Sequence, residues 1–328
     1  MSKADDLTCW RYFAAFAKAG TLTAAANALQ VEVSSISRAI SGLEKALGCA
    51  LIRHSSRPQT LTEAGQTALK RITPILRAHE SLKQTLMDDK KTLSGNIRLS
   101  SAPGFASRQL IPLLQEFKKL YPAITVEILT GFKESDVQKG LCDVATLTGV
   151  PQLPGLCFMS RGRNVYLPVA SPLYIEQHGM PLEPRQLKNH AGLVYNGPVR
   201  PETRALQRGE RTEPVIFSTC TRSTDILAIR TALLDGLGVA VDMPLVQIYQ
   251  DLNKGTLVPI LPGWFRPPLE CFIVTSRSTW HLKRIRIFLE WYAMIMQKHF
   301  AFYESQVEGI VALPKDSGRW DKKELYRT

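Results

Sequence analysis

The chain has no run of about 18 or more uncharged apolar residues, the length a membrane-spanning helix needs, so no membrane partner is expected. Met1-Ser2-Lys3-Ala4-Asp5-Asp6 contains no apolar core of a secretion signal, and the expected location is the cytoplasm. There is no CxxC pair. Cys9, Cys49, Cys142, Cys157, Cys220 and Cys271 are scattered without zinc-ligand spacing, so reduced thiols are expected rather than a disulfide framework or a structural metal. GxSxG, HExxH and Walker-type loops are also missing, as is any metal cluster, so neither an enzyme nor a cofactor is expected. Gly236-Leu237-Gly238-Val239 follows a helical pattern and leads into a strand. That is the reverse of dinucleotide-loop order, and it reads as a tight turn.

Acidic residues are also in deficit. Against 41 Lys and Arg stand 29 Asp and Glu, a formal charge of +12 that calls for an anionic partner. The excess is shared: 13 basic against 8 acidic residues over 1–94, and 23 against 16 over 95–300. With 45% hydrophobic and 21% charged residues the 328-residue chain is neither disordered nor fibrous, and its length suits two or three domains.

At the N-terminus, apolar residues at Leu7, Trp10, Phe13, Ala14, Phe16 and Ala17 give a helix closed by Gly20. Thr21 and Thr23 are N-cap candidates for a short helix, Ala24 to Leu29, whose alanines permit close packing. A third helix, Val33 to Leu47, ends at Gly48. At 100° per residue it gathers Ile36, Ile40, Leu43 and Leu47 into one stripe and Ser34, Arg38, Ser41 and Lys45 into the opposite one. Hydroxyls and long cations on one exposed face suit a major groove, where Arg grips phosphate or guanine, although a merely solvated face has the same composition. Leu51–His54 and Gln59–Leu61 read as two short strands around Ser55-Ser56-Arg57-Pro58. This is a wing, whose Arg53 and Arg57 reach phosphates while His54 stays an exposed neutral side chain. From Thr62 a long helix carries Leu69, Ile72, Ile75 or Leu76, His79, Leu82 and Leu86 at near-heptad spacing, interrupted by Pro74. It spans on the order of 40 Å and predicts pairing of two subunits.

The strings Trp10-Arg11-Tyr12-Phe13, Thr23-Ala24-Ala25-Ala26-Asn27-Ala28-Leu29, Ser37-Arg38-Ala39-Ile40, Leu43-Glu44 and Leu61-Thr62-Glu63-Ala64-Gly65 resemble, in this order, the LysR-type transcriptional regulators. The resemblance is strongest over 7–66 and continues weakly to about 297. It implies a DNA-binding contact set of Thr23, Ser34, Ser35, Ser37, Arg38, Ser41, Lys45, Arg53 and Arg57. The family usually opens its recognition helix with Ser, Gln and Pro, whereas this chain has Glu32, Val33 and Ser34. The Gln that would pair with adenine is thereby lost.

Beyond the polar break Leu93-Ser94-Gly95-Asn96, strands are expected at Ile97–Ser101, Thr125–Leu129, Val144–Leu147, Val165–Ala170, Leu193–Tyr195, Val215–Ser218, Val239–Val241 and Cys271–Val274, with a helix over Phe105–Leu120. The βαβ order predicts parallel sheet and two α/β lobes. The fold class expected overall is α+β multidomain: a winged helix-turn-helix over 1–62, a linker helix over 63–92 and an effector domain over 93–300 like the periplasmic binding proteins. Lobe I would comprise about 95–166 plus 271–297 and lobe II about 167–270, followed by a loose or partner-docking tail over 301–328. The resemblance implies an interlobe effector site at Ala102, Pro103 and Gly104, at Thr148, and at Thr221, Arg222 and Ser223.

Ala102 and Gly104 stand where the family often has Ser or Thr. Arg222 compensates by binding a carboxylate, which makes a small organic anion the effector class, or else it pairs with Asp225. Cys220 reads as a small buried residue rather than a redox sensor. The partners implied are double-stranded DNA, a small-molecule effector, one or three further copies of the chain as homodimer or homotetramer, and RNA polymerase. A constitutive, nucleoid-type DNA binder without effector is the alternative, and an enzyme on the two-lobed domain is the remaining one.

Overall fold

The computed structural model describes residues 2–53, 59–87, 93–131 and 133–314, and the chain divides into two compact units near residue 90. In the first, α1 (Leu7–Ala19) starts where the Asp6 carboxylate accepts the N–H of Thr8 at 2.8 Å and ends where Gly20 turns left-handed. Thr21 caps α2 (Leu22–Leu29) by accepting the N–H of Ala24 at 3.1 Å, whereas Thr23 lies within the helix, exposed on its first turn. Ala25 and Ala26 are buried, and their small side chains let α2 pack close to α1 and α3 (Val33–Leu47). Phe13, Phe16, Ile36, Ile40 and Leu43 fill the space between the helices. Leu47, expected on the same stripe, is exposed, because as the last residue of α3 it lies beyond the packed neighbours. Ala39 instead turns inward.

The strands β1 (Ile52–Arg53) and β2 (Thr60–Leu61) pair antiparallel, Ile52 opposite Leu61. Thr62 ties this hairpin to the next helix: its hydroxyl donates to the Ala50 carbonyl at 2.7 Å and accepts the N–H of Gly65 at 2.9 Å, capping α4 (Glu63–Met87). Gly65 is required there, since a Cβ would meet the Leu51 carbonyl oxygen at 2.1 Å. The expected wing tip, His54 to Pro58 with Arg57, falls outside the described residues. Along α4, Ile72 is buried but Ile75 and Leu82, one heptad apart, are more than half exposed.

The second unit runs β3 (Gly95–Ser101), α5 (Pro103–Phe105), a π-helical turn (Ala106–Leu110), α6 (Ile111–Leu120), β4 (Ile124–Thr130), α7 (Glu134–Gln138), β5 (Val144–Thr148) and β6 (Leu156–Asn164). It continues with β7 (Tyr166–Ala170), α8 (Pro172–His178), β8 (Ala191–Tyr195), the hairpin β9 (Ala205–Arg208) and β10 (Arg211–Pro214), β11 (Thr219–Ser223), α9 (Ile226–Leu234), β12 (Val239–Pro244), α10 (Leu245–Lys254) and β13 (Val258–Pro259). Then come β14 (Leu269–Ser276), α11 (Arg277–Trp280) and α12 (Lys283–Ser305). One five-stranded sheet has the order β4-β3-β5-β14-β6 and the other β11-β8-β12-β7-β13. The chain passes between them at Val165 and again between β13 and β14, which makes two lobes with a double crossing.

Several expectations shift. Gly95 and Asn96 belong to β3, paired with Ile124 and Thr125, rather than to a break. Val215–Ser218 forms no strand; Val215 is held by a single bond to the Arg204 carbonyl, and the strand of this region starts at Thr219, alongside Ala191. β6 and the β9–β10 hairpin were not expected: β6 opens on the short apolar run Leu156-Cys157-Phe158-Met159 but continues as Ser160-Arg161-Gly162-Arg163, and the four-residue strands β9 and β10 are mostly polar. The last helix runs on to Ser305, and Tyr303 and Val307 are buried, so apolar packing continues past residue 300.

Candidate functional site

On α3 the buried and exposed stripes lie back to back. Ser34, Ser37, Arg38, Ser41 and Lys45 are exposed, and Ser35 is half-buried on the flank. Arg53 is exposed on the wing strand β1. The front of this face is wired internally. Arg38 donates from Nε to the Ser34 carbonyl at 3.2 Å and from Nη2 to the Ser34 hydroxyl at 3.5 Å, and that hydroxyl donates to Glu32 at 3.1 Å. Glu32 makes no side-chain cap to the helix backbone. Arg38 therefore lies folded along its own helix and has to swing outward to reach a base or phosphate.

In the second unit a cavity of ≈ 330 Å³ opens between the two sheets. Lobe I supplies Ala102 at the end of β3, Pro103, Gly104 and Phe105 of α5, and Thr146 and Thr148 from β5. Lobe II supplies Tyr195, Arg200, Asp225 and Ile226, with Val246 and Gln247 from the start of α10. The lobes touch beside it: Gln109 in the π turn donates to the Val246 carbonyl at 3.0 Å, and Arg108 to that of Gln247 at 3.4 Å. A Cβ on Gly104 would meet Ile226 Cγ2 at 2.4 Å, so glycine is what permits this approach.

Arg200 is sandwiched between Tyr166 and Tyr195, its guanidinium carbon 4.9 and 4.7 Å from their ring centroids. It also grips Asp242, through the carboxylate and through the backbone carbonyl at 2.9 Å. Arg266 lies 3.7 Å from the same carboxylate and 4.8 Å from the Tyr166 centroid. Two buried cations thus share one anion, and Arg266 is pushed below the usual guanidinium range by burial first and the Arg200 charge second. Burial pushes the hydroxyls of Tyr166 and Tyr195 up, so both remain neutral hydrogen-bonding groups.

Of the effector positions named from sequence, Ala102, Pro103, Gly104 and Thr148 line the cavity, and Thr221, Arg222 and Ser223 do not. The last three lie on β11, the edge strand of its sheet. Arg222 points to solvent and pairs with Glu202 at 3.4 Å, not with Asp225, whose carboxylate caps α9 through the N–H of Leu227 at 2.8 Å. An anion held by Arg222 inside the cavity is therefore not what this arrangement offers. Sequence reasoning missed Arg161, Asn164, Tyr166, Arg200 and Gln247. The available signal was weak: Arg and Gly alternating in Ser160-Arg161-Gly162-Arg163, and an Arg in the turn-rich Gly197-Pro198-Val199-Arg200.

A helix-turn-helix with a wing, followed in one chain by a two-lobed α/β domain with a cavity between its lobes, defines a DNA-binding regulator with an effector-binding domain. The chain belongs to the LysR family. The family model described as LysR substrate binding domain matches residues 90–296, and that of the bacterial regulatory helix-turn-helix protein, lysR family, matches residues 7–66. The uncharacterized HTH-type transcriptional regulator YhjC of Escherichia coli K12 is 27% identical over 301 residues, covering 90% of this chain and 99% of its own. The HTH-type transcriptional activator AaeR of the same organism is 29% identical over 259 residues, covering 78% and 82%. Among solved structures, the full-length Vibrio cholerae virulence activator AphB is 25% identical with a TM-score of 0.58, covering 88% of this chain and 98% of its own. CrgA of Neisseria meningitidis shares the fold at 22% identity, with the same TM-score of 0.58 and the same coverage, 88% and 98%.

Proposed function

We propose that this LysR-type regulator reads operator DNA through the outer stripe of α3, with Ser34, Ser37, Arg38, Ser41 and Lys45 toward the groove. Thr23, Ser35, Arg53 and Arg57 serve as flanking backbone contacts. The supporting observation is the division of one helix into an apolar stripe buried at Ile36, Ile40 and Leu43 and an exposed hydroxyl-and-cation stripe. The working unit is a dimer or a tetramer. Ile75 and Leu82 leave apolar surface uncovered on α4, and a second copy of that helix is the occupant that their heptad spacing fits.

A small molecule held in the interlobe cavity modulates binding by changing lobe or subunit geometry, which respaces the DNA-reading heads. Regulation then acts in the cytoplasm on RNA polymerase at nearby promoters. The test is binding to duplex from the region upstream of its own gene and to random duplex, at several salt concentrations. About a thousand-fold or greater preference for the specific site at physiological salt is expected, with affinity falling steeply as salt rises. Equal affinity for both duplexes at every salt concentration sinks the reading.

A further inference from the structure

Arg161 sits at a break in the pairing of β6 with β14. Gly162 faces Cys271 and Ser160 faces Phe272, which leaves Arg161 as the extra residue of a β-bulge. Bulges re-aim side chains, and this one turns Arg161 into the cavity. The neighbouring glycine is needed for it: Gly162 has φ 102°, and a Cβ there would meet the Phe300 ring at 2.9 Å. Arg161 is only 7% exposed. Its Nε donates to the Phe272 carbonyl at 3.2 Å, and its guanidinium carbon lies 6.0 and 5.7 Å from the rings of Phe105 and Phe300.

No carboxylate among the described residues pairs with Arg161, whereas Arg163, two places on, has Glu304 at 3.4 Å. Cys271 and Tyr292 are the titratable groups beside it. Burial pushes both up, the Tyr292 hydroxyl to about 12, so both stay neutral and neither is a counter-ion. The terminal amino groups of Arg161 thus make no hydrogen bond to any described residue, an arrangement that is unfavourable until an anion enters. The charged residues lining the cavity are Arg161, Arg200 and Asp225. Arg200 is spent on Asp242 and Asp225 on its helix cap.

Asn164 and Gln247 also line the cavity, but their amide oxygens are themselves buried and do not open onto it. The walls between these polar groups are rings and aliphatic side chains, among them Phe105, Tyr166, Phe300 and Ile226. The volume is at the small end of the roughly 300–1,000 Å³ typical of ligand pockets.

Building on the assignment of this cavity to the effector, we infer that the effector is a small carboxylic acid with an apolar, ring-sized body, its carboxylate held by the Arg161 guanidinium. The unpaired cation calls for the negative charge, and the ring and aliphatic walls call for the apolar body.

The test uses the full-length protein with mandelate, phenyllactate and phenylacetate, each beside its primary amide, in melting and calorimetric titrations. At least one of the three acids is expected to raise the melting temperature, with its amide binding about 30- to 100-fold more weakly. Arg161→Gln should cost the acid the same factor and leave the amide's affinity unchanged. Acid and amide binding equally well, an acid indifferent to Arg161→Gln, or no probe binding at all overturns the inference. If Arg161→Gln fails to fold, Arg161→Lys serves: it keeps the charge but loses the fork, and about tenfold weaker acid binding supports the inference while unchanged binding overturns it. Val199→Trp, which fills the cavity from the lobe II side, separates the two levels. Acid binding that survives Val199→Trp refutes the cavity as the effector site. Binding lost in Val199→Trp but kept in Arg161→Gln refutes only the anion anchor.

Discussion

The carboxylate of Glu44 accepts the backbone N–H groups of Leu51 at 2.8 Å and of Ile52 at 3.0 Å, so a side chain on the recognition helix sets where the wing begins. Leu51 and Ile52 are almost fully buried, and without Glu44 their donors lose the acceptor that satisfies them. Glu44→Ala is expected to cost about 2–3 kcal/mol in denaturant unfolding of the DNA-binding unit, and Glu44→Gln clearly less because it keeps one acceptor. Equal losses for the two variants would show that packing, not the carboxylate, orders the wing.

Arg38 is bonded back onto Ser34, and Ser34 onto Glu32. Replacing Arg38 with Ala should weaken binding to the specific site by about 1–3 kcal/mol, read by fluorescence anisotropy at fixed salt. Glu32→Gln removes a negative charge from the same face and should strengthen binding by up to about 1 kcal/mol, more at low salt than at high. Unchanged affinity in Arg38→Ala tells against this side of α3 as the groove face.

Gly104 and Ile226 come from different lobes and leave no space for a methyl group between them. Gly104→Ala should lower the stability of the two-lobed domain by about 1–3 kcal/mol and blunt any ligand-induced rise in melting temperature. Trimming the opposing side chain in the double variant with Ile226→Ala should restore part of both, as expected for residues in direct contact. Strictly additive losses would mean that the two positions do not act through this contact.

His190 is buried against Tyr174 and its Nδ1 has no hydrogen-bond partner. Burial, and secondarily the nearby His178, hold its pKa below the free value of 6.5, so the folded protein binds this proton less readily than the unfolded chain. The stability that neutral His190 contributes is complete above 6.5 and is lost as pH falls toward the lowered folded value. Melting temperature should therefore drop on acidification through this window in the wild type and drop less in His190→Gln. Parallel pH profiles for the two proteins would remove His190 as the cause.

The helix-turn-helix was legible in the chain because its determinants are local. Gly20 and Gly48 end helices through their own backbone freedom, and Ile36, Ile40 and Leu43 announce a buried stripe by spacing alone. Where locality ends, the reading weakens: Leu47 obeys the same spacing yet is exposed, because burial depends on what stands opposite and not on angle. In the second unit the order of strands and helices was recoverable from hydropathy. The polar second half of β6 and the strands β9 and β10 were not, since nothing in a stretch such as Ser160-Arg161-Gly162-Arg163 marks it as paired until β14 lies beside it.

The cavity shows the same limit more sharply. By itself the sequence determined the third helix of the N-terminal unit with its two faces, and a surplus of lysine and arginine over acid. It could not say which arginine is unpaired. Arg222 looked available and is spent on Glu202 at the surface; Arg161 looked like one charge in a polar strand and stands buried and unpaired beside the cavity. Only the tertiary structure decided between them. An arginine's role rests on its burial and on whether a carboxylate faces it, and both are set by a bulge and by strand pairings that join residues more than a hundred positions apart.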